Sequence, residues 1–335
     1  MSVTINDIAK AANVTKATVS YVINNKPGVS DETRERILKI IEENGFRPNV
    51  IARGLAGKTT GIVGLVLPEI SDMYFARIIK GVENTANKYD YTLNLSSTHG
   101  NPQKEKMLFD LYTSGQVEGI VFVCISLTAE HINYLKQKKV PFVCIDCFVA
   151  DKSVYNVYVD NEEAGYNAGS YLIKLGHRKM AFIHGLYNSF ESKSRFKGFC
   201  RALNENNILL PKKGVGQGDF TKTGGYLVTL EFLKLQDRPT AIFAANDQMA
   251  MGAIAAITES GFKVPEDISI IGFDDIEAAS VVQTPLTTIR QPIEEMGKNA
   301  TEILFRLING KDVPETVILH KTELVKRSSC ASIGG

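Results

Sequence analysis

From residue 62 onward, short apolar runs alternate with segments that carry apolar residues at helical spacing. The first run, IVGLVL at 62–67, contains no polar side chain, which is typical of a strand buried on both faces. Alternation of such strands with helices predicts parallel sheets with helices on both faces. Because two similar sets of elements follow one another, the sequence predicts an α/β body made of two similar halves.

Polar residues follow several of these strands. Strand patterns cover 62–67, 91–96, 119–124, 141–145, 180–184, 240–245 and 268–273, and helical patterns cover 74–89, 103–114, 129–138, 195–206, 224–235 and 249–260. Ligands of parallel sheets bind beyond the carboxyl ends of the strands. The ligand candidates at these ends are Asp146, Asn246, Asp247, Asp274 and Asp275. An N-cap role explains Asn246 or Asp274 equally well, since both precede helices.

The first 46 residues show three short helical patterns and no strand. Thr4 and Asp7 have the spacing of a capping box, and Thr15 and Ser30 are the next two N-caps. Two short helices joined by a tight turn and braced by a third predict a helix-turn-helix. Residues 1–60 hold nine Lys/Arg against six Asp/Glu, and the remainder holds twenty-nine against thirty-one. A basic head on a neutral body suits nucleic-acid binding, and the alternative is a generic three-helix bundle.

The second helix of this head would lie in the major groove of DNA. Lys16 can reach guanine O6 and N7, Ala17 offers only a methyl contact, and Tyr21 faces the same way one turn later. Hydroxyl and amide groups at helix ends suit phosphate oxygens. The candidate DNA contacts in the head are Thr4, Thr15, Lys16, Ala17, Thr18, Ser20, Tyr21, Asn24 and Ser30.

The stretch RPNVIARGLAG at 47–57 links the head to the body. Asn49 can cap a helix of two turns that Gly57 ends. Such a short helix is marginal in water, because nucleation costs more than a few hydrogen bonds return. We expect it to fold only when its ends are held or its apolar side is covered, so it is a candidate switch.

Several other kinds of function find no support in the sequence. The stretch 52–59 imitates a phosphate-binding loop, but it begins with Ala52 and leads into a strand. Cys144 and Cys147 have C-x-x-C spacing without a second pair, and a strand would point them to opposite faces, so we expect buried thiols. No catalytic or metal-binding pattern stands out. The sequence therefore predicts neither an enzyme nor a cofactor or metal.

Cellular location is predicted from what the sequence lacks. No stretch approaches the roughly 18–20 apolar residues of a membrane span, and MSVTINDIAK does not look like a secretory signal. Five scattered cysteines in a chain of 335 residues favour reduced thiols. We expect a cytoplasmic protein without membrane association.

Two long stretches resemble the lac/gal repressor family of bacterial transcription regulators. They are TINDIAKAANVTKATVSYVINNKPGVSDETRERILKIIEENGFRPNVIARGLAGKTTGIVGLVLP and AIFAANDQMAMGAIAAITESGFKVPEDISIIGFDDIEAASVVQTPLTTIRQPI. The resemblance covers nearly the whole chain. It implies a sequence-specific DNA-binding regulator, a repressor, that binds a palindromic operator in double-stranded DNA as a homodimer. The alternative is a sugar-binding protein without a DNA role.

The resemblance identifies 47–59 as a hinge helix and linker between the DNA-binding domain, 1–46, and the body, 60–335. The hinge would enter the minor groove, with Leu55 wedged between base pairs, Asn49 and Arg53 beside it and Ala56 packed closely. Many relatives carry an arginine where Tyr21 stands, so the operator sequence is left open.

For the body, the resemblance implies two Rossmann-like subdomains of the periplasmic-binding-protein type. The N-subdomain would cover about 60–160 and 291–321, and the C-subdomain about 161–290 and 322–335. An effector would bind in the cleft between them. The implied effector-binding residues are Tyr74, Phe75, Asp146, Arg195, Phe220, Asn246 and Asp274. For Arg195, a solvated helix residue is the alternative.

The effector class rests on the same resemblance. Cys147 stands where a purine-binding relative would have an aromatic residue, which leaves a sugar or sugar phosphate as the expected effector. In one branch of the family, a phosphocarrier protein serves as a partner. Ligand binding can either release DNA or promote its binding in this family, and the sequence favours neither direction.

Overall fold

The computed structural model describes residues 3–23, 26–46, 59–123, 127–147, 151–187 and 189–333. In the head, α1 (Ile5–Ala11), α2 (Lys16–Ile23) and α3 (Asp31–Glu43) surround a small core that includes the fully buried side chains of Ile8, Val19 and Ile37.

All three predicted N-caps of the head are confirmed. The hydroxyl groups of Thr4, Thr15 and Ser30 accept hydrogen bonds from main-chain NH groups three residues later, at 3.4, 3.2 and 3.4 Å. Asn13 has a φ of 48°, in the left-handed region, and makes the tight turn between α1 and α2. The local sequence therefore determines where the helices of the head begin.

The body contains two six-stranded sheets, whose order is β11-β5-β4-β3-β1-β2 in the first and β12-β10-β9-β8-β6-β7 in the second. The strands are β1 (Ile62–Leu67), β2 (Thr92–Ser97), β3 (Gly119–Val123), β4 (Phe142–Ile145), β5 (Asn156–Val159), β6 (Met180–His184), β7 (Val215–Gln217), β8 (Ala241–Ala244), β9 (Ser269–Asp274), β10 (Thr287–Arg290), β11 (Val317–His320) and β12 (Glu323–Val325). Neighbouring strands are parallel except for β10 and β12.

Helices flank both sheets. They are α4 (Met73–Lys88), α5 (Pro102–Leu111), α6 (Ala129–Lys138), α7 (Asn161–Lys174), α8 (Phe190–Glu205), α9 (Lys222–Leu233), α10 (Asp247–Glu259), α11 (Ala278–Val281) and α12 (Ile293–Ile308). The predicted fold class, a helical head followed by an α/β body with two parallel-sheet subdomains, is confirmed. Within the described ranges, every helix is too short or too polar to cross a membrane.

The chain passes between the two sheets three times. It leaves the first sheet after β5, returns after β10 and leaves again after β11. The first half of the body therefore combines β1–β5 and α4–α6 with α12 and β11, and the second half combines α7–α11 with β6–β10 and β12. Three of these elements, β5, β10 and α7, lie at the crossings and are not among the strands and helices predicted from the sequence.

Helices α7 and α8 pack so closely that their main chains touch. A Cβ atom on Gly165 would lie 2.0 Å from the carbonyl oxygen of Arg195, and a Cβ atom on Gly198 would lie 1.8 Å from that of Glu162. Only glycine allows this approach. The contact sets the position of the second turn of α8, which carries Arg195 into the cleft between the halves.

Candidate functional site

In the first half of the body, Tyr74 and Asp146 form one wall of the cleft. Asp146 directly follows β4, and the phenol of Tyr74 donates a short hydrogen bond to its Oδ2 atom. Phe75 packs edge-on against Tyr74, with ring centroids 5.2 Å apart. Asp146 is 5% exposed, and among the described residues its Oδ1 atom has no hydrogen-bond partner. This wall therefore presents a buried, unpaired acceptor.

Burial, with a smaller contribution from the negative charge of Glu191, raises the pKa of Asp146 to about 7. The hydrogen bond from Tyr74 and the positive charge of Arg195 oppose this rise. Glu191 and Arg195 both lie on α8, in the second half of the body. Charged groups of the second half therefore act on the pKa of Asp146 in the first half.

The backbone of Asp146 corrects one detail predicted from the sequence. Its φ is 48°, so the strand ends at Ile145 and the chain turns. Cys144 and Cys147 are both buried, as expected, but they lie in one apolar cluster with Phe122, and the neighbouring thiol of Cys147 adds to the burial that raises the pKa of Cys144. The prediction that the two side chains point to opposite faces is therefore wrong.

On the opposite wall, Arg195 is held from several sides. Its Nε atom donates to Oδ1 of Asn161 at 2.8 Å, and its Nη1 atom donates to the carbonyl oxygen of Ala245 at 2.6 Å. Its guanidinium stacks on Phe273, and Nη1 lies 4.0 Å from Oδ1 of Asp274. Arg195 is 4% exposed, so the alternative of a solvated helix residue is wrong. Helix α8 begins at Phe190 rather than 195, which places Arg195 inside the helix.

Asp274 ends β9 beside Arg195. Burial raises the pKa of Asp274 well above its usual range, the nearby charge of Arg195 lowers it, and the carboxylates of Asp247 and Asp72 raise it. Gln291 donates from Nε2 to Oδ1 of Asp274 at 2.7 Å, while Oε1 of Gln291 has no partner among the described residues. This wall thus contains a second buried acceptor without a hydrogen bond.

Asn246 and Phe220 form a third group. Asn246 caps α10 by accepting from the NH group of Met249 at 3.0 Å, and its Nδ2 atom donates to the carbonyl oxygen of Phe220 at 2.9 Å. The ring of Phe220 lies against Gly185, where a Cβ atom would be 2.0 Å from its Cζ atom. The cap role of Asn246 is therefore real, and the same side chain holds the main chain that carries the ring of Phe220.

Two of the strand-end candidates have structural partners instead. Asp247 is fully buried, with Oδ1 bound by the hydroxyl of Thr288 at 2.5 Å and Oδ2 bound by the NH group of Ile276 at 2.9 Å. Asp275 pairs with Arg290 and Arg327, each at 2.6 Å. Both aspartates brace the turn that carries Asp274, and neither has an oxygen left without a partner.

Sequence reasoning missed four polar residues of the cleft, namely Asp72, Asn161, Glu191 and Gln291. Asp72 caps α4 by accepting from the NH group of Tyr74 at 2.8 Å. Asn161 is the first residue of α7, two residues after β5, and Gln291 directly follows β10; both lie where the chain crosses between the halves. The subdomain boundaries that the family resemblance implies, near 160 and 290, could have identified these two residues as candidates.

In the head, the start of α2 is open to solvent. Thr15, Lys16 and Ala17 are exposed, Thr18 and Ser20 are half-buried, and Tyr21 is 46% exposed. These residues therefore share one accessible region. Ser30 and Thr4 are exposed too, but the hydroxyl of Thr4 donates to the Asp7 carboxylate at 2.6 Å as part of its cap. Asn24, Asn49, Arg53, Leu55 and Ala56 lie outside the described residues.

Comparison with known proteins agrees with this division into head and body. Residues 4–49 match the family model described as bacterial regulatory proteins, lacI family. Residues 170–330 match a periplasmic binding protein-like domain. Catabolite control protein A of Priestia megaterium is 36% identical over 319 residues, which cover 95% of this chain and 96% of the relative.

The chain belongs to the lacI family of bacterial regulatory proteins. As a family member, it is a sequence-specific DNA-binding transcription regulator whose activity a small-molecule effector controls. The crystal structure of the lac repressor dimer, bound to operator and the anti-inducer ONPF, has a TM-score of 0.84 to it at 29% identity and covers 99% of this chain and 100% of its own. A complex of the transcriptional regulator CelR with cellobiose has a TM-score of 0.75 at 28% identity, covering 98% and 99%.

Proposed function

We propose that this regulator responds to a neutral sugar that binds between Asp146 and Asp274. The observation that carries the proposal is that two buried acceptors of the cleft, Oδ1 of Asp146 and Oε1 of Gln291, have no partner among the described residues; a third such acceptor, Oδ1 of Asn156, lies at the start of β5. Buried acceptors need hydrogen bonds, and a ring of hydroxyl groups can supply several donors at once. The partly buried rings of Phe75 and Phe220 offer apolar surface for the face of a sugar. CelR, a structural relative, is complexed with cellobiose.

Charge favours the neutral sugar over a sugar phosphate. The charged groups that influence Asp146 and Asp274 are the carboxyl groups of Asp72, Glu191 and Asp247 and the guanidinium of Arg195. Arg195 already donates to Asn161 and Ala245. A phosphate would therefore need a cation that Arg195, already bound to Asn161 and Ala245 and close to Asp274, does not supply, and its desolvation would lack a matching charge.

A binding screen on the full chain tests the effector class. Neutral mono- and disaccharides, their phosphate esters and nucleosides are compared by thermal shift and calorimetry. We expect at least one neutral sugar to bind and its phosphate ester to bind at least tenfold more weakly. Asp146→Asn should weaken binding of that sugar, whereas Asp237→Asn, at an exposed site near β8, should not. Preferential binding of a phosphate ester would contradict the proposal.

We also propose that the sugar acts on DNA binding through closure of the cleft. Closure changes the relative position of the two halves in each protomer of a homodimer, and so determines whether both 47–59 segments can be helical together on a palindromic operator. Fluorescence anisotropy of labelled DNA from the region upstream of the protein's own gene, measured with and without the sugar, gives the operator affinity in each case and so measures this coupling. Either an increase or a decrease in operator affinity supports it, and an unchanged affinity contradicts it. A phosphocarrier partner stays a prediction of the family resemblance.

A further inference from the structure

A side chain of the first half of the body reaches the main chain of the second half at the edge of the cleft. Arg77 lies on α4, three residues after Tyr74, and its Nη1 atom donates a 3.1 Å hydrogen bond to the carbonyl oxygen of Asp275. Asp275 follows β9 and is the neighbour of Asp274. The bond therefore joins the two halves next to a residue that we propose contacts the effector.

The acceptor of this bond is held in a fixed turn. Asp274 and Asp275 have φ values of 115° and 58°, so two consecutive non-glycine residues occupy the left-handed region. The carboxylate of Asp275 is 8% exposed and takes 2.6 Å ion pairs from Arg290 and Arg327. Such strained backbone persists only where the surroundings over-determine it, and here two guanidinium groups do so.

One of the two arginines lies where the chain passes between the halves. Arg290 is the last residue of β10, directly before the crossing to α12, whereas Arg327 lies two residues beyond β12, the strand that follows another crossing. Asp275 therefore links the effector-binding turn to one connecting segment through Arg290, and to the stretch beyond β12 through Arg327. If ligand binding moves Asp274, the neighbouring carbonyl group of Asp275 moves with it. A movement of the connecting segment would also displace this carbonyl group.

We infer that Arg77 and the carbonyl group of Asp275 form a latch that holds the cleft closed. Opening the cleft separates α4 from the 274–275 turn, so the bond exists only in the closed state. A hydrogen bond to a charged group is worth enough, after exchange with water, to change an equilibrium about tenfold. This latch rests on the proposed function in one respect, since closure is the motion that the sugar is proposed to control.

Lys80 on the same helix provides a matched control. It lies one turn after Arg77 and carries the same charge, but its 3.0 Å ion pair with Glu294 joins α4 to α12 within the first half. Removing Lys80 therefore changes the charge of α4 without removing a bond across the cleft. Arg77→Lys is a second informative variant, because lysine keeps the charge but loses the planar, forked donor geometry.

The latch is tested by measuring the cleft directly, without sugar or DNA. Spin labels on unnatural side chains at exposed Gln137 and Asn204, one in each half, report the distance between the halves by pulsed electron paramagnetic resonance. Dimers with one labelled protomer avoid distances between protomers. We expect Arg77→Ala to lower the ratio of closed to open molecules about tenfold and Arg77→Lys to lower it less. Lys80→Ala should match the wild type.

An unchanged ratio in Arg77→Ala, or an equal fall in Lys80→Ala, would overturn the latch. Because the measurement contains no effector, its failure is distinct from a failure of the sugar proposal. If no sugar binds the wild type while Arg77→Ala still opens the cleft, the latch stands and the effector class is wrong.

Discussion

The guanidinium carbon of Arg195 lies 3.6 Å from the centroid of the Phe273 ring, in the interior of the C-terminal half. Stacking of this kind suits arginine because its planar cation is weakly hydrated on both faces. The same guanidinium donates to Asn161, directly after one crossing, and to Ala245, at the end of β8. Arg195 therefore ties a connecting segment to the strand ends that form one wall of the cleft.

We expect Arg195→Lys to weaken sugar binding strongly although it keeps the charge. Lysine cannot stack as a plane or donate to Asn161 and Ala245 together, so it would leave buried acceptors unpaired. Hydrogen bonds to a charged group are worth about 1.5–3 kcal/mol each, so we predict a loss of sugar affinity of at least tenfold, measured by calorimetry. Arg201→Lys on the same helix, where the side chain is partly exposed beside Glu162 and Glu163, should have little effect. Unchanged affinity in Arg195→Lys would place the sugar elsewhere.

Asp146 should make the stability of the protein depend on pH. Its pKa in the folded state is raised to about 7 from 3.8, so its neutral form is favoured on folding. The stabilisation that this group contributes is complete near pH 4 and is lost as the pH rises to 7. We predict that Asp146→Asn becomes more stable relative to the wild type as the pH rises from 5 to 8, by on the order of 2–4 kcal/mol.

Urea unfolding of both proteins at several pH values measures this difference. Burial also raises the pKa values of Asp247 and Asp274, but both proteins share these groups, so the comparison isolates Asp146. Asparagine can still accept the hydrogen bond from Tyr74, which keeps the two side chains comparable. A stability difference that stays constant over this range would show that Asp146 titrates near its usual value.

The sequence predicts best those features that local chemistry determines. Neighbouring residues determine the N-caps at Thr4, Thr15 and Ser30. The strand at 62–67 is recognisable because it is a continuous apolar run. Features that depend on tertiary contact were missed or misplaced. Nothing near Gln291 in the sequence shows that its amide will meet Asp274. The start of α8 at Phe190 was also misplaced, although its cap from Ser189 is a local signal that the sequence does contain. The left-handed turn at Asp146 reorients Cys147, which a regular strand pattern does not predict.

The contact between α7 and α8 should tolerate no methyl group at Gly165. A Cβ atom there would lie 2.0 Å from the main-chain oxygen of Arg195, and main-chain atoms cannot rotate away as a side chain can. We expect Gly165→Ala to lower the free energy of unfolding by about 3 kcal/mol or more and to displace Arg195, which would weaken sugar binding as well. Exposed Asn167 lies on the same helix, so Asn167→Ala should change stability by less than about 0.5 kcal/mol. Equal stability of the two variants would show that the helices separate at little cost.

The last prediction concerns DNA recognition by the head. Lys16 is exposed at the first position of α2. The positive end of the helix dipole repels its charge there, so Lys16→Ala should not destabilise the head. If Lys16 binds a guanine edge, its removal should reduce operator affinity by about 1–3 kcal/mol and relax preference at a single base position. Anisotropy titrations against an operator and its single-base variants measure both quantities. Lys39→Ala removes one exposed positive charge from α3. It is the control for the general electrostatic attraction to DNA that any lost positive charge would weaken. An equal loss on all sequences in Lys16→Ala would show that Lys16 contacts phosphate, and no loss beyond that of Lys39→Ala would remove it from the interface.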